Sequence, residues 1–249
     1  MSDATDRTQT VVFAGAGGDQ IEGYLATSAA PDAVGGVVVL HHMPGYDSST
    51  KEITRRFATL GYNAICPNLH FREAPGASPD DAAAAVRAAG GVPDDRLVGD
   101  VDGAAAHLRS LPNANGRIAV IGYCSGGRQA FLAACSLTLE AAVDCYGGFV
   151  VEMPPEGFPL QVSPLTPLAP RLSCPLLGLF GADDEHPAPE HVAELDRVLT
   201  DAGKEHEFHT FENAGHGFFS TDRPSYAAAA AEQGWALIEA FFNRHLTTR

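Results

Sequence analysis

Lysine is almost missing from this chain. It stands only at positions 51 and 204, so arginine supplies nearly all of the 16 basic side chains. Set against 31 acidic residues, these leave a formal net charge of −15. That balance excludes the phosphate backbone of nucleic acid and an anionic membrane surface as partners. No apolar run approaches the ~20 residues that a membrane-spanning helix requires. The opening Met1-Ser2-Asp3-Ala4-Thr5-Asp6 has neither the cationic start nor the apolar centre of a secretory signal. The cysteines, at 66, 124, 135, 145 and 174, are odd in number and lack any paired metal-ligand spacing. They suit reduced thiols better than a disulfide framework, and the expected compartment is the cytoplasm.

What the chain does have is apolar content, 45% of 249 residues, enough to rule out wholesale disorder and to build one packed domain. Val11-Val12-Phe13 and the run Ile21 to Ala26 predict an antiparallel hairpin. After a linker at 31–36, Val37-Val38-Val39-Leu40 reads as a strand buried on both faces. Helical spacing through Ile53, Phe57 and Leu60 ends at Gly61, and Asn63 to Cys66 is the next strand. Two helices are predicted between Asp80 and Leu111, broken at Gly90-Gly91-Val92-Pro93. Further strands fall at 117–121, 142–145, 176–180 and 207–211, alternating with helices near 129–134, 192–199 and 224–246. The alternation predicts an α/β fold with a mostly parallel central sheet, helices on both faces and an N-terminal hairpin. Residues 1–10 read as a flexible tail and 11–249 as a single domain. Between 147 and 173 lies a Pro-rich stretch without periodicity. A loop of that length inside a compact domain is usually functional, and its expected place is above the strand ends.

One segment is the most informative. Gly122-Tyr123-Cys124-Ser125-Gly126-Gly127 follows the apolar run Ile118 to Ile121 and precedes residues with helical spacing. Strand, tight turn and helix with Gly-x-Cys-x-Gly at the bend is the pattern of a nucleophile elbow, with cysteine where serine is usual. Small neighbours are needed where strand and helix approach, and the helix N-terminus favours a thiolate. Ser125 is not in register for the role, because Tyr123 stands where glycine is wanted two positions before it. A thiol also needs a base, and the base an orienting acid. Asp183 follows a predicted strand in Phe180-Gly181-Ala182-Asp183-Asp184, and His216 lies in Ala214-Gly215-His216-Gly217-Phe218 after the next one. The chain order nucleophile, acid, histidine is that of the α/β-hydrolase triad. Asp183 or Asp184 could instead merely cap the helix near 189, and Asp144 is a second strand-end carboxylate that could substitute as the acid. The oxyanion hole is expected from the backbone N–H groups of Ser125 and Met43.

These residues resemble the dienelactone hydrolase family, the cysteine-nucleophile branch of the α/β hydrolases, along nearly the whole chain. Besides the elbow, acid and histidine motifs, the likeness includes Gly-Tyr-x-Ala-x-Cys-Pro-x-Leu at 61–69 and Arg72-x-Ala-Pro-Gly. The resemblance implies an α/β-hydrolase fold and the triad Cys124, Asp183 and His216. It further implies hydrolysis of a lactone or small ester through an acyl-thioester, without metal or cofactor, by a monomer or homodimer. His42, Arg72, Tyr123 and Ser220 are candidate substrate-binding residues. Two positions depart from the family pattern. His42 stands where founding members carry a glutamate, and Ser220 where they carry a carboxylate-clamping arginine. Neutral esters are therefore expected to be turned over at least as well as carboxylate-bearing dienelactones. Two other readings compete. Loop histidines 41, 42, 70 and 216 could support a metal-assisted hydrolase, although they lack tight ligand spacing. A non-turnover ligand-binding member of the fold is the other.

Overall fold

The structure, a computed structural model, describes residues 7–247. Eight strands form one sheet in the order β1-β2-β4-β3-β5-β6-β7-β8. The first pair, β1 (Thr8–Ala14) and β2 (Gln20–Ala26), is the expected antiparallel hairpin. β2 also runs antiparallel to β4 (Asn63–Pro67). From β4 onward every pairing is parallel, through β3 (Val34–Leu40), β5 (Ala114–Tyr123), β6 (Ala141–Cys145), β7 (Leu176–Gly181) and β8 (His206–Phe211). The strand pattern on paper thus becomes the α/β hydrolase sheet. β1 begins at Thr8, inside the stretch expected to be a tail, because Thr8 to Thr10 pair with Tyr24 to Ala26. Residues 1–6 of that expected tail lie outside the described residues.

The period of two in β3 and β5 divides the core into two layers. Val38, Leu40, Ile118 and Val120 point to one side, where they meet α3 (Asp94–Arg109), α4 (Ser125–Ser136) and α5 (Pro189–Asp201). Val37, Val39, Ala119 and Ile121 point to the other, against α1 (Ser48–Thr59) and α6 (Ala228–Leu246). Both faces being covered explains why β3 is apolar without alternation. The helix starts follow local chemistry. Asp47 accepts the Thr50 N–H at 2.8 Å to open α1. Ser78 caps α2 (Pro79–Ala88), with proline at its first helical position.

Arg72 has a structural role in this fold. Its guanidinium grips Asp100 of α3 through two bonds of 2.8 and 3.0 Å and reaches Asp19 at 3.0 Å. Asp100 is fully buried and also accepts the Ala16 N–H at 2.8 Å. The pair therefore ties the β1–β2 turn, the segment after β4 and α3 together. Removing Arg72 would leave the buried Asp100 carboxylate without its cation, whereas Arg72 keeps Asp19 if Asp100 is lost. Arg72→Ala should cost roughly 3–5 kcal/mol of stability, read as a lowered urea midpoint at unchanged slope.

Candidate active site

Cys124 closes β5 and opens α4. Its backbone sits at φ 58°, ψ −120°, in territory that costs a non-glycine residue about 1–3 kcal/mol. The surroundings enforce it. A side chain at Gly122 would run into the Gly126 carbonyl, and one at Gly126 into the Leu40 carbonyl of β3. Glycine at both places lets strand and helix approach closely enough to hold the strained residue between them. The Cys124 N–H is held by the Cys145 carbonyl at 3.0 Å, and its own carbonyl accepts from Gly127 N at 2.9 Å. The thiol thus stands at the helix N-terminus, among N–H groups that lack intrahelical partners. Ser125 supplies the first of these, and Met43 lies across the same cavity on the loop after β3.

His216 lies on the loop after β8. Its Nδ1 is 2.9 Å from Asp184 Oδ2, and Cys124 is near enough to act on the ring's proton affinity. The Tyr146 ring packs edge-on against it at 5.2 Å. Burial pulls the imidazole pKa down, but the Asp184 hydrogen bond and the charges of Asp184 and Cys124 outweigh this and carry it up to about 10. The Asp184 side chain is 1% exposed, whereas that of His216 is 38% exposed toward the cavity. The histidine therefore holds its proton at neutral pH beside the sulfur, with water screening its open edge.

The carboxylate that meets His216 is Asp184, one residue later than the sequence spacing suggested. Asp183 is exposed, and its backbone N–H donates to the Ala214 carbonyl at 2.9 Å. Asp184 ends the tight turn from Gly181, with its N–H 3.3 Å from the Gly181 carbonyl. Its Oδ1 accepts the His186 N–H at 2.9 Å, which leaves Oδ2 aimed at the imidazole. Two adjacent carboxylates cannot be told apart by counting from the strand; the turn decides. Asp144 is engaged elsewhere. It is fully buried, Oδ1 accepts Gly147 N at 2.8 Å, Oδ2 is unpartnered, and burial pushes its pKa up to about 7.

Cys124, Asp184 and His216 open onto a cavity of about 660 Å³. None of His42, Arg72, Tyr123 or Ser220 borders it. The His42 ring is taken by Asp47 at 3.0 Å and Arg223 at 3.2 Å. Tyr123 is buried beneath the elbow against Tyr146 and Phe219. The Ser220 side chain lies by Tyr146. The cavity instead receives Arg87 from the last turn of α2, Arg128 from α4, and apolar side chains of the segment after β6. These come from three separate elements with no shared spacing, so no motif announces them. Of the loop histidines, the structure brings His41 and His70 to a ring distance of 4.7 Å. His41 is spent on backbone, between the His42 carbonyl at 2.9 Å and Leu69 N–H at 3.3 Å. Burial, with His70 nearby, lowers its pKa to about 3. Among the described residues, no three His, Cys, Asp or Glu side chains converge as metal ligands.

The chain is similar to known proteins along nearly its whole length. The family model described as the dienelactone hydrolase family matches residues 21–246. A protein of Escherichia coli, provisionally named carboxymethylenebutenolidase, is 34% identical over 240 residues, covering 92% of this chain and 84% of its own. A carboxymethylenebutenolidase of Pseudomonas putida is 29% identical, over 84% of this chain and 85% of its own. A crystal structure from Klebsiella pneumoniae, provisionally described as a dienelactone hydrolase, superposes with a TM-score of 0.81 at 26% identity. It covers 95% of this chain and 100% of its own. Matched along nearly its whole length, with an elbow, a histidine and a buried carboxylate where an α/β hydrolase carries its chemistry, the chain belongs to the dienelactone hydrolase family.

Proposed function

We propose that the protein hydrolyses lactones or carboxylic esters with Cys124 as nucleophile, His216 as proton carrier and Asp184 as the residue that orients it. The observation that carries this reading is the Asp184–His216 hydrogen bond on the cavity that Cys124 enters from a strained elbow. The sulfur attacks the carbonyl carbon as a thiolate beside the protonated imidazole. The carbonyl oxygen takes up the charge opposite the N–H groups of Ser125 and Met43, a contribution worth about 3–4 kcal/mol per donor. Collapse breaks the acyl–oxygen bond, and His216 gives its proton to the leaving alkoxide. In a lactone that alkoxide stays tethered as the new hydroxyl. The neutral imidazole then takes a proton from water, whose oxygen attacks the thioester and releases the acid. Asp184 keeps the Nδ1 proton in place and stabilises the imidazolium throughout.

The charge of the substrate is read from the cavity walls. The expectation of neutral substrates rested on Ser220 and His42, but Ser220 faces Tyr146 and His42 is held by Asp47 and Arg223, both off the cavity. Arg72 is occupied by Asp100. Arg87 does border the cavity and has no ion-pair partner among the described residues. It is the cation that a carboxylate-bearing lactone would meet, so an anionic group is compatible with this site.

Two tests follow from the triad. Cys124→Ala should abolish ester and lactone hydrolysis, and iodoacetamide should inactivate the wild type in proportion to labelling at that residue. Unimpaired turnover by the purified alanine protein would end the covalent reading.

Asp184→Asn should lower kcat by about 10³–10⁴-fold, while Asp183→Asn stays within about tenfold; the reverse ranking would refute the register. The imidazole provides an independent reading. In the wild type its pKa is raised from 6.5 to about 10. Its charge, and the stability tied to it, should therefore be complete below pH 6.5 and be lost as pH rises through about 10. Losing the Asp184 contact removes a raising interaction, so the NMR titration of His216 in Asp184→Asn should move to lower pH.

A further inference from the structure

The cavity is much larger than a small ester requires. Its volume of about 660 Å³ lies within the roughly 300–1,000 Å³ of sites that enclose drug-sized ligands. One wall is apolar: Phe149, Phe158, Leu160 and Val162 from the segment after β6, together with Val92 and Leu97 at the start of α3.

That wall is pinned from several sides. The Gln161 N–H donates to the Gly90 carbonyl at 2.7 Å, and the Leu165 N–H to the Val150 carbonyl at 2.7 Å. Arg128, only 4% exposed, reaches from α4 to Asp94 at 3.1 Å and to the Ser163 carbonyl at 2.9 Å. Glu152 is gripped by His186 at 2.8 Å, on the connection that carries Asp184, and by His191 of α5 at 3.2 Å. A segment anchored to the elbow helix, to the α2–α3 turn and to the acid's own loop is a built wall.

Its rings are placed against local preference. Phe149 has φ 62°, rare and costly for a bulky side chain. In that conformation the ring meets Phe158 edge-to-face at 4.9 Å and packs on His186 at 5.4 Å. Phe158 remains 38% exposed. Half-covered rings in this arrangement offer edges and faces to a third ring, which gains more there than its buried area alone gives.

Resting on the hydrolase reading above, we propose that this wall is a subsite for an aromatic group, and that the substrate is an aryl-bearing ester or lactone. Its carbonyl lies at Cys124 while its ring sits against Phe149 and Phe158. The site thereby selects for a group that neither the triad nor Arg87 recognises.

The test compares ethyl acetate with ethyl phenylacetate, which carries the ring on the acyl side, and 2-phenylethyl acetate, which carries it on the alcohol side. Each kcat/KM is divided by the rate constant for alkaline hydrolysis of the same ester. One aryl ester should exceed ethyl acetate by about tenfold or more, and Phe158→Ala should bring that ratio back toward one. Ratios near one for both aryl esters in the wild type overturn the subsite. Calorimetric titration of Cys124→Ala with phenylacetate, 2-phenylethanol, hexanoate and acetate reads the subsite without turnover. One of the aryl compounds should bind about tenfold tighter than acetate or better, and tighter than hexanoate. Parity with hexanoate would show a general apolar channel and overturn the aromatic assignment. If the wild type turns over none of the esters while the aryl compounds still bind selectively, the hydrolase reading falls and the subsite stands.

Discussion

The backbone of a single residue is the constraint on which the rest of the site depends. Cys124 is held at φ 58° between a strand and a helix that touch only because Gly122 and Gly126 present no side chain. The strain, about 1–3 kcal/mol, is sustained by a sheet buried on both faces, where β3 and β5 pair along Gly36 to Leu40. In return the sulfur is lifted clear of the strand ends and set at the helix N-terminus. Sheet order supplies its partners. β3, beside β5, carries the loop with Met43, while β7 and β8 pair with Gly181 opposite Phe211. The turn holding Asp184 and the loop holding His216 therefore leave the sheet side by side.

Electrostatics complete what the backbone begins. Asp184 is buried, so its charge acts on His216 through little solvent, while the imidazole keeps one edge open to the cavity. The imidazole is thus fixed on its Asp184 side and accessible on its cavity side. The cavity carries both signs of charge, with Asp94, Asp183 and Glu185 also on its walls. On a chain of net charge −15, Arg87 and Arg128 both border it. Arg128 is engaged in holding the apolar wall, whereas Arg87 borders the cavity with no ion-pair partner among the described residues.

Arg72 shows how a motif can be visible without its role being so. The Arg-x-Ala-Pro-Gly segment resembles the family, and a lone arginine near an expected active site invites a substrate contact. Yet its partner, Asp100, sits on a helix 28 positions away and is fully buried. A buried carboxylate requires a cation more strictly than a solvated ligand does, and it takes this one.

The sequence by itself determined the fold and the position of the strand-to-helix elbow. Apolar runs at period two and period 3.6 placed each strand and helix, and Gly122, Cys124 and Gly126 marked the elbow, because these signals are local and survive in one dimension. The N-terminal boundary was misplaced because Thr8 to Thr10 are polar and become a strand only by pairing with β2. Asp184 was chosen over Asp183 by a turn whose hydrogen bonds to Gly181 and His186 set which carboxylate faces inward. His42, Tyr123 and Ser220 were drawn into pairs and packing away from the cavity. Its walls were assembled from α2, α4 and the segment after β6. Those choices belong to tertiary structure alone, since they depend on which distant groups compete for the same donor, charge or space once the chain has closed.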